Sequence, residues 1–167
     1  MKILKTKFKD LDIIKQKNNS DRRGNLRETY DIRFLKKNFI FEYCTTSKKG
    51  VLRGFHFQSK FQQSKYVNVL KGKILDVVVD LRKNSKTFGK YISTILSEKN
   101  SKSIFIPPGF AHGFCTLSNE NYVVYGSTRY REKKYEVGIK YNDKDLDIKW
   151  PIKKPIISKK DMHNLSL

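Results

Sequence analysis

The segment ILDVVVDL, residues 74–81, constrains the fold of this chain more than any other. It is a nearly continuous apolar run, rich in β-branched residues, and is closed off by the turn signals KGK at 71–73 and KNSK at 83–86. Such a run reads as a strand buried on both faces, with Gly72 supplying the positive φ of the preceding turn. Its two aspartates, Asp76 and Asp80, are read as turn caps or as partners of Arg82. Other runs rich in Val, Ile, Tyr, Phe and Thr lie near 11–16, 26–30, 38–45, 51–57, 65–70, 90–96, 103–106, 112–117, 121–130 and 137–141. Helical signal is confined to turns near 31–36 and 158–163. Many short strands joined by short turns imply a β-sandwich or barrel. The 167 residues show no repeat, linker or composition break, so a single domain over 1–167 is expected. A small barrel with a polar mouth is a common setting for a ligand.

The formal net charge of +20 invites an anionic partner. The lysines, however, are scattered and accompanied by many Asn and Ile. That pattern describes a solvated surface, not the clustered stripe of a nucleic-acid binder. Cys44 and Cys115 are the only two cysteines and form no CxxC, so neither a disulfide scaffold nor a cysteine zinc site is expected. Free thiols of a cytoplasmic protein are the simplest reading. The opening MKILKTKFKD lacks the apolar core of a signal peptide, and no run approaches the ~18 apolar residues of a membrane span.

Three histidines occur, His56, His112 and His163. The first sits in VLRGFHFQ, residues 51–58, where alternation places Leu52, Gly54, His56 and Gln58 on one face and Val51, Arg53, Phe55 and Phe57 on the other. The second sits in IPPGFAHGF, residues 106–114, where Pro107-x-Gly109-x-x-His112 makes a tight turn that aims an imidazole from the start of a strand. His163 is read as a surface residue. An early histidine motif followed by PxGxxH resembles the double-stranded β-helix, or cupin, proteins. Their metal-binding members use two His one residue apart plus a carboxylate. Here the second position is Gln58, and His56 with His112 alone is too few ligands for a firm metal site. No metal is therefore expected.

The order of motifs narrows the resemblance. VLRGFHFQ, QQSKYVNVLKGKILDVVVDLRKNSKTFGKY, IFIPPGFAHGF, VVYGSTRY, NDKDLDIKWP and PIISKKD follow one another from about Asp21 to Asp161. This is similar to the dTDP-4-dehydrorhamnose 3,5-epimerase family. The resemblance implies an all-β cupin-type (jelly-roll) barrel with short peripheral helices. It also implies a cofactor-free enzyme that inverts carbon 3, carbon 5 or both of a nucleoside-diphosphate 4-keto-6-deoxyhexose, feeding rhamnose or a related deoxysugar into surface polysaccharide. The ketone acidifies its neighbouring carbons, so inversion needs a base on one face, an acid on the other and donors to hold the enolate. Carried over position by position, His56 matches the base. Asp161 is its orienting carboxylate, with Asp76 as an alternative. Tyr125 matches the proton donor and Lys65 the group that stabilises the enolate. Arg53, His112 and Gln58 match contacts to sugar and diphosphate. Arg23, Glu28 and Glu136 match nucleotide contacts, the first two often supplied across a homodimer.

The chain also departs from that pattern. Phe41 and Tyr43 stand where many relatives carry Gln and Asn that touch the substrate. Arg131 stands where a base-stacking Tyr is usual, and its guanidinium can also stack on a base. All three are expected at the substrate. Two other readings stay open from sequence: a sugar-nucleotide ketoisomerase on the same fold, and a non-catalytic binding module suggested by the interleaved Lys and Tyr of 121–141.

Overall fold

A computed structural model describes residues 1–167. Two antiparallel sheets face each other. The first contains β1 (Lys2–Lys5), β2 (Asp12–Lys15), β5 (Phe41–Lys48), β7 (Lys65–Lys71), β10 (Lys102–Ile106) and β12 (Glu120–Ser127), in the order β1-β2-β10-β7-β12-β5. The second contains β6 (Leu52–Gln58), β8 (Lys73–Asp80), β9 (Tyr91–Ser97), β11 (Phe110–Thr116) and β13 (Glu136–Gly138), in the order β13-β6-β11-β8-β9. The strands β3 (Asn18–Asp21) and β4 (Gly24–Arg27) form a separate hairpin, and two single-turn helices, α1 (Ile32–Leu35) and α2 (Lys159–Met162), lie at the periphery. The all-β barrel expected from the sequence is what forms. The sequence did not announce β1, which adds an edge to the first sheet, or β3, which pairs only with β4 in the separate hairpin.

The 74–81 run behaves as its composition requires. Ile74 and Val78 enter the core between the sheets with Val67, Phe114 and Val123, while Val77 and Val79 enter a second cluster with Phe55, Ala111, Ile139 and Leu146. Alternate residues thus serve opposite faces, and strand β8 needs a cover on both. The second cover is the chain after β13, whose Trp150 packs on Phe55 at 5.8 Å between ring centroids. Gly72 has φ +86° at the β7–β8 turn, as its place in KGK demands.

One local departure matters for function. Along the β6–β11 ladder His112 pairs with His56, but Phe114 pairs with Arg53, so β6 carries one extra residue between them. This bulge breaks the alternation expected for 51–58 and turns Arg53 and His56 into the same cavity. Gly54 sits at the bulge with φ +118°, and a Cβ there would lie 2.6 Å from the Gly113 Cα. Only glycine on both strands permits that approach.

Candidate active site

A cavity of about 670 Å³ opens between the sheets, lined by His56, Lys65, His112, Tyr125, Arg53 and Asp161 among others. His56 projects from β6 and Tyr125 from β12, which belong to opposite sheets. The imidazole and the phenol therefore reach the cavity from opposite walls. Lys65 comes from β7 beside Tyr125, and its Nζ donates to the His56 carbonyl at 3.4 Å.

His56 Nε2 lies 2.6 Å from Asp161 Oδ1. Asp161 arrives from α2, whose N-cap Ser158 accepts the Asp161 N–H at 3.1 Å. Its second oxygen accepts the Gly54 N–H at 3.3 Å. Burial raises the cost of its charge, but the hydrogen bond from His56, the imidazole's charge and the Gly54 amide outweigh that, and its pKa falls below the ordinary carboxylate value. An ionised Asp161 takes the proton on Nε2 as its donor, which leaves the Nδ1 lone pair of His56 as the basic atom. The His56 side chain is 27% exposed, enough for a ligand to reach it.

Asp76, the alternative partner, serves another imidazole. Its Oδ2 lies 2.7 Å from His112 Nε2, with both side chains buried on adjacent strands β8 and β11. The reading of Asp76 as a turn cap or an Arg82 partner is thereby corrected. Asp80 alone fills that role, accepting from Arg82, Ser85 and Thr87.

The remaining ionisable groups respond to the cavity. Burial brings the Lys65 ammonium down to about 8, with Glu136 opposing and Arg131 reinforcing the change. Burial pushes the Tyr125 phenol well above its ordinary value, with Tyr43 and Asp76 adding to the effect. Glu136 suffers desolvation, yet Arg131 and Lys160, at 2.7 Å each, hold it near 2. Arg53 is braced by β5, donating to Ser47 Oγ at 3.1 Å and the Thr46 carbonyl at 3.3 Å.

Nine of the thirteen residues picked from the sequence line this cavity: His56, Tyr125, Asp161, Lys65, Arg53, His112, Glu136, Arg131 and Tyr43. Phe41 stands just outside, with its ring 5.5 Å from that of Tyr43. Gln58 is buried and tied down: it donates to the Phe61 carbonyl at 2.9 Å and accepts the Glu132 N–H at 2.7 Å. It organises a loop beside the cavity. Arg23 and Glu28 lie away from the cavity of their own chain, the first on the β3–β4 turn against Asp21 and the second near Lys17. The partner of Asp76 and the place of Lys160 escaped the sequence reading. The place of Asp76 had one signal, a carboxylate inside an apolar run, since a buried charge needs a partner. Lys160, which holds Glu136, had none. No three His, Cys, Asp or Glu side chains converge as a metal site, and no helix is long and apolar enough to cross a membrane.

Comparison with known proteins gives a consistent picture. The family model described as dTDP-4-dehydrorhamnose 3,5-epimerase matches residues 5–167. The chain is 39% identical to the dTDP-4-dehydrorhamnose 3,5-epimerase of Shigella flexneri, over 98% of this chain and 94% of that one. Among solved structures, the Bacillus anthracis dTDP-4-dehydrorhamnose 3,5-epimerase with TDP and PPi bound superposes with a TM-score of 0.96 at 37% identity, over 99% of each chain. The Legionella pneumophila dTDP-6-deoxy-D-glucose-3,5-epimerase in complex with dTDP-4-keto-L-rhamnose gives 0.94 at 38% identity, over 99% of this chain and 92% of that one.

Proposed function

The chain belongs to the dTDP-4-dehydrorhamnose 3,5-epimerase family, and from that premise we propose how its own residues carry out the reaction. It is an epimerase of nucleoside-diphosphate 4-keto-6-deoxyhexoses of the dTDP type. The observation that carries the assignment of roles is the placement of the His56–Asp161 pair and Tyr125 on opposite walls of one cavity.

His56 Nδ1 takes the proton from carbon 5 or carbon 3 of the sugar. The C–H electron pair moves toward carbon 4 and leaves an enolate on its oxygen. The Lys65 ammonium holds that oxygen, and Asp161 holds the imidazolium. Tyr125 then donates its O–H proton to the carbon from the other face, forming the inverted C–H bond. Phenolate and imidazolium return to their starting forms by exchange with water. The substrate ketone supplies all the acidity, so no step requires a cofactor. Arg53 and His112 fit the diphosphate and sugar, the guanidinium through its planar fork. Glu136 and Arg131 bound the nucleotide end.

A homodimer extends this reading. The β3–β4 hairpin stands out from the sheets with Leu26 65% exposed, and it carries Arg23 while Glu28 follows it. In a dimer these two residues reach the partner's cavity. Size-exclusion chromatography with light scattering is expected to give twice the chain mass, and a monomer would remove this part of the proposal.

The deciding experiment incubates the protein with dTDP-4-dehydro-6-deoxyglucose in deuterium oxide and follows each carbon by NMR. Deuterium at carbon 3, carbon 5 or both, with inversion, is expected. Absence of exchange would overturn the assignment, and movement of the carbonyl to carbon 3 would make the protein a ketoisomerase.

A further inference from the structure

The acid of this site is stacked on a second phenol. Tyr43 on β5 stands directly opposite Tyr125 on β12 in the strand register, and the two rings lie parallel, 4.7 Å apart between centroids with planes 6° from each other. Both rings line the cavity. Beyond the stack the rings are tilted: Phe41 on β5 lies 5.5 Å from Tyr43 with planes 35° apart, and Tyr130 lies 5.8 Å from Phe41 with planes 57° apart. Tyr125 meets its other aromatic neighbours differently, His112 edge-on at 6.0 Å and Phe114 tilted at 6.3 Å. Tyr43 is thus the one ring that lies flat against the acid.

We infer that Tyr43 is a positioning residue of the epimerisation: by stacking on Tyr125 it holds the phenol in line with the carbon that has lost its proton. The inference rests on Tyr125 being the acid, as argued under Proposed function. A tyrosine ring pivots about two side-chain torsions, and donation to carbon tolerates little misalignment. Flat contact between rings favours one plane over the others. The role differs from a substrate contact, because Tyr43 acts through its neighbour and the base on the opposite wall is untouched.

This separates two quantities that a general loss of structure would reduce together. Once His56 has removed the proton, the enolate has two fates. A deuteron returned by His56, after its imidazolium has traded the abstracted proton for one from deuterium oxide, gives exchange with retention, whereas a deuteron from Tyr125 gives inversion. The ratio of inversion to exchange therefore reports the alignment of Tyr125 alone. It is read by NMR with dTDP-4-dehydro-6-deoxyglucose in deuterium oxide, for the wild type and for Tyr43→Phe, Tyr43→Leu and Tyr43→Gln. The phenylalanine variant keeps the ring and is expected to hold the ratio within about twofold, while the two ringless variants lower it by about tenfold with exchange persisting. An unchanged ratio in Tyr43→Leu and Tyr43→Gln would overturn the inference. So would an equal fall of exchange and inversion, which marks a structural role, or a fall in Tyr43→Phe as large as in the other two, which marks a role for the hydroxyl. A wild type that inverts while the variants keep its ratio leaves the function standing and removes only Tyr43. A wild type that does not exchange removes both.

Discussion

The molecule contains two histidine–aspartate pairs, built almost alike and differently exposed. His56 and His112 are register partners on neighbouring strands, and each places Nε2 on a carboxylate, at 2.6 Å and 2.7 Å. Their carboxylates come from different places. Asp76 belongs to the strand beside His112, in the same sheet, 36 positions away in sequence, and both side chains are buried. Asp161 comes from a peripheral turn of helix, 105 residues from His56, and leaves the imidazole partly open. A pair sealed inside a sheet is a fixed element of the wall, able to hold a ligand group but with no freedom to take and return protons from solvent. A pair at the rim can do both. The two pairs differ in access and not in hydrogen-bond length, and on the roles proposed above that access makes one a wall and the other the base.

This contrast can be broken by mutation. The largest effect is expected for His56→Ala, which removes the proposed base and should lower deuterium exchange at the sugar carbons by about 10⁴-fold. Asp161→Asn keeps the shape but no longer holds the tautomer with Nδ1 free. A loss of about 10³-fold in exchange, with an unchanged melting temperature, is expected from the same NMR assay. Lys65→Met should cost about 10²-fold through the uncompensated enolate. The wild-type rate should also fall as pH rises through about 8, because the depressed Lys65 loses its proton there; that alkaline limb should vanish in Lys65→Met when kcat is followed against pH. The smallest activity change belongs to Asp76→Asn, a few-fold at most, accompanied by about 1–3 kcal/mol of lost stability in urea unfolding from a disturbed buried pair. Should Asp76→Asn match Asp161→Asn in exchange, the distinction between wall and base collapses and His112 must be counted as a second base.

Legibility from sequence followed the range of the interaction. Strands such as 74–81 announced themselves because β-branched runs between turn residues carry the signal locally. β3 did not: its NNSD is turn-forming by composition and is a strand only because β4 pairs with it. The common cavity of Arg53 and His56 was hidden for a related reason. Strict alternation separates them, and a single inserted residue, set by the approach of Gly54 to Gly113, reverses the phase. The expectation that Asp161 and Tyr125 share a cavity with His56 came only from the order of motifs, since nothing near either residue marks it as part of a proton-transfer site. The loop that claims the Gln58 amide from 74 residues away had no signal in the sequence.

The distance in sequence between His56 and Asp161 has a consequence for biogenesis. The imidazole leaves the ribosome long before its carboxylate, and until the final turn docks on Gly54 it is an ordinary histidine in a half-built sheet. On the proposed roles, turnover therefore gauges completed folding: a chain that has formed both sheets but not seated the segment bearing Asp161 should look native by spectroscopy yet turn over as slowly as Asp161→Asn.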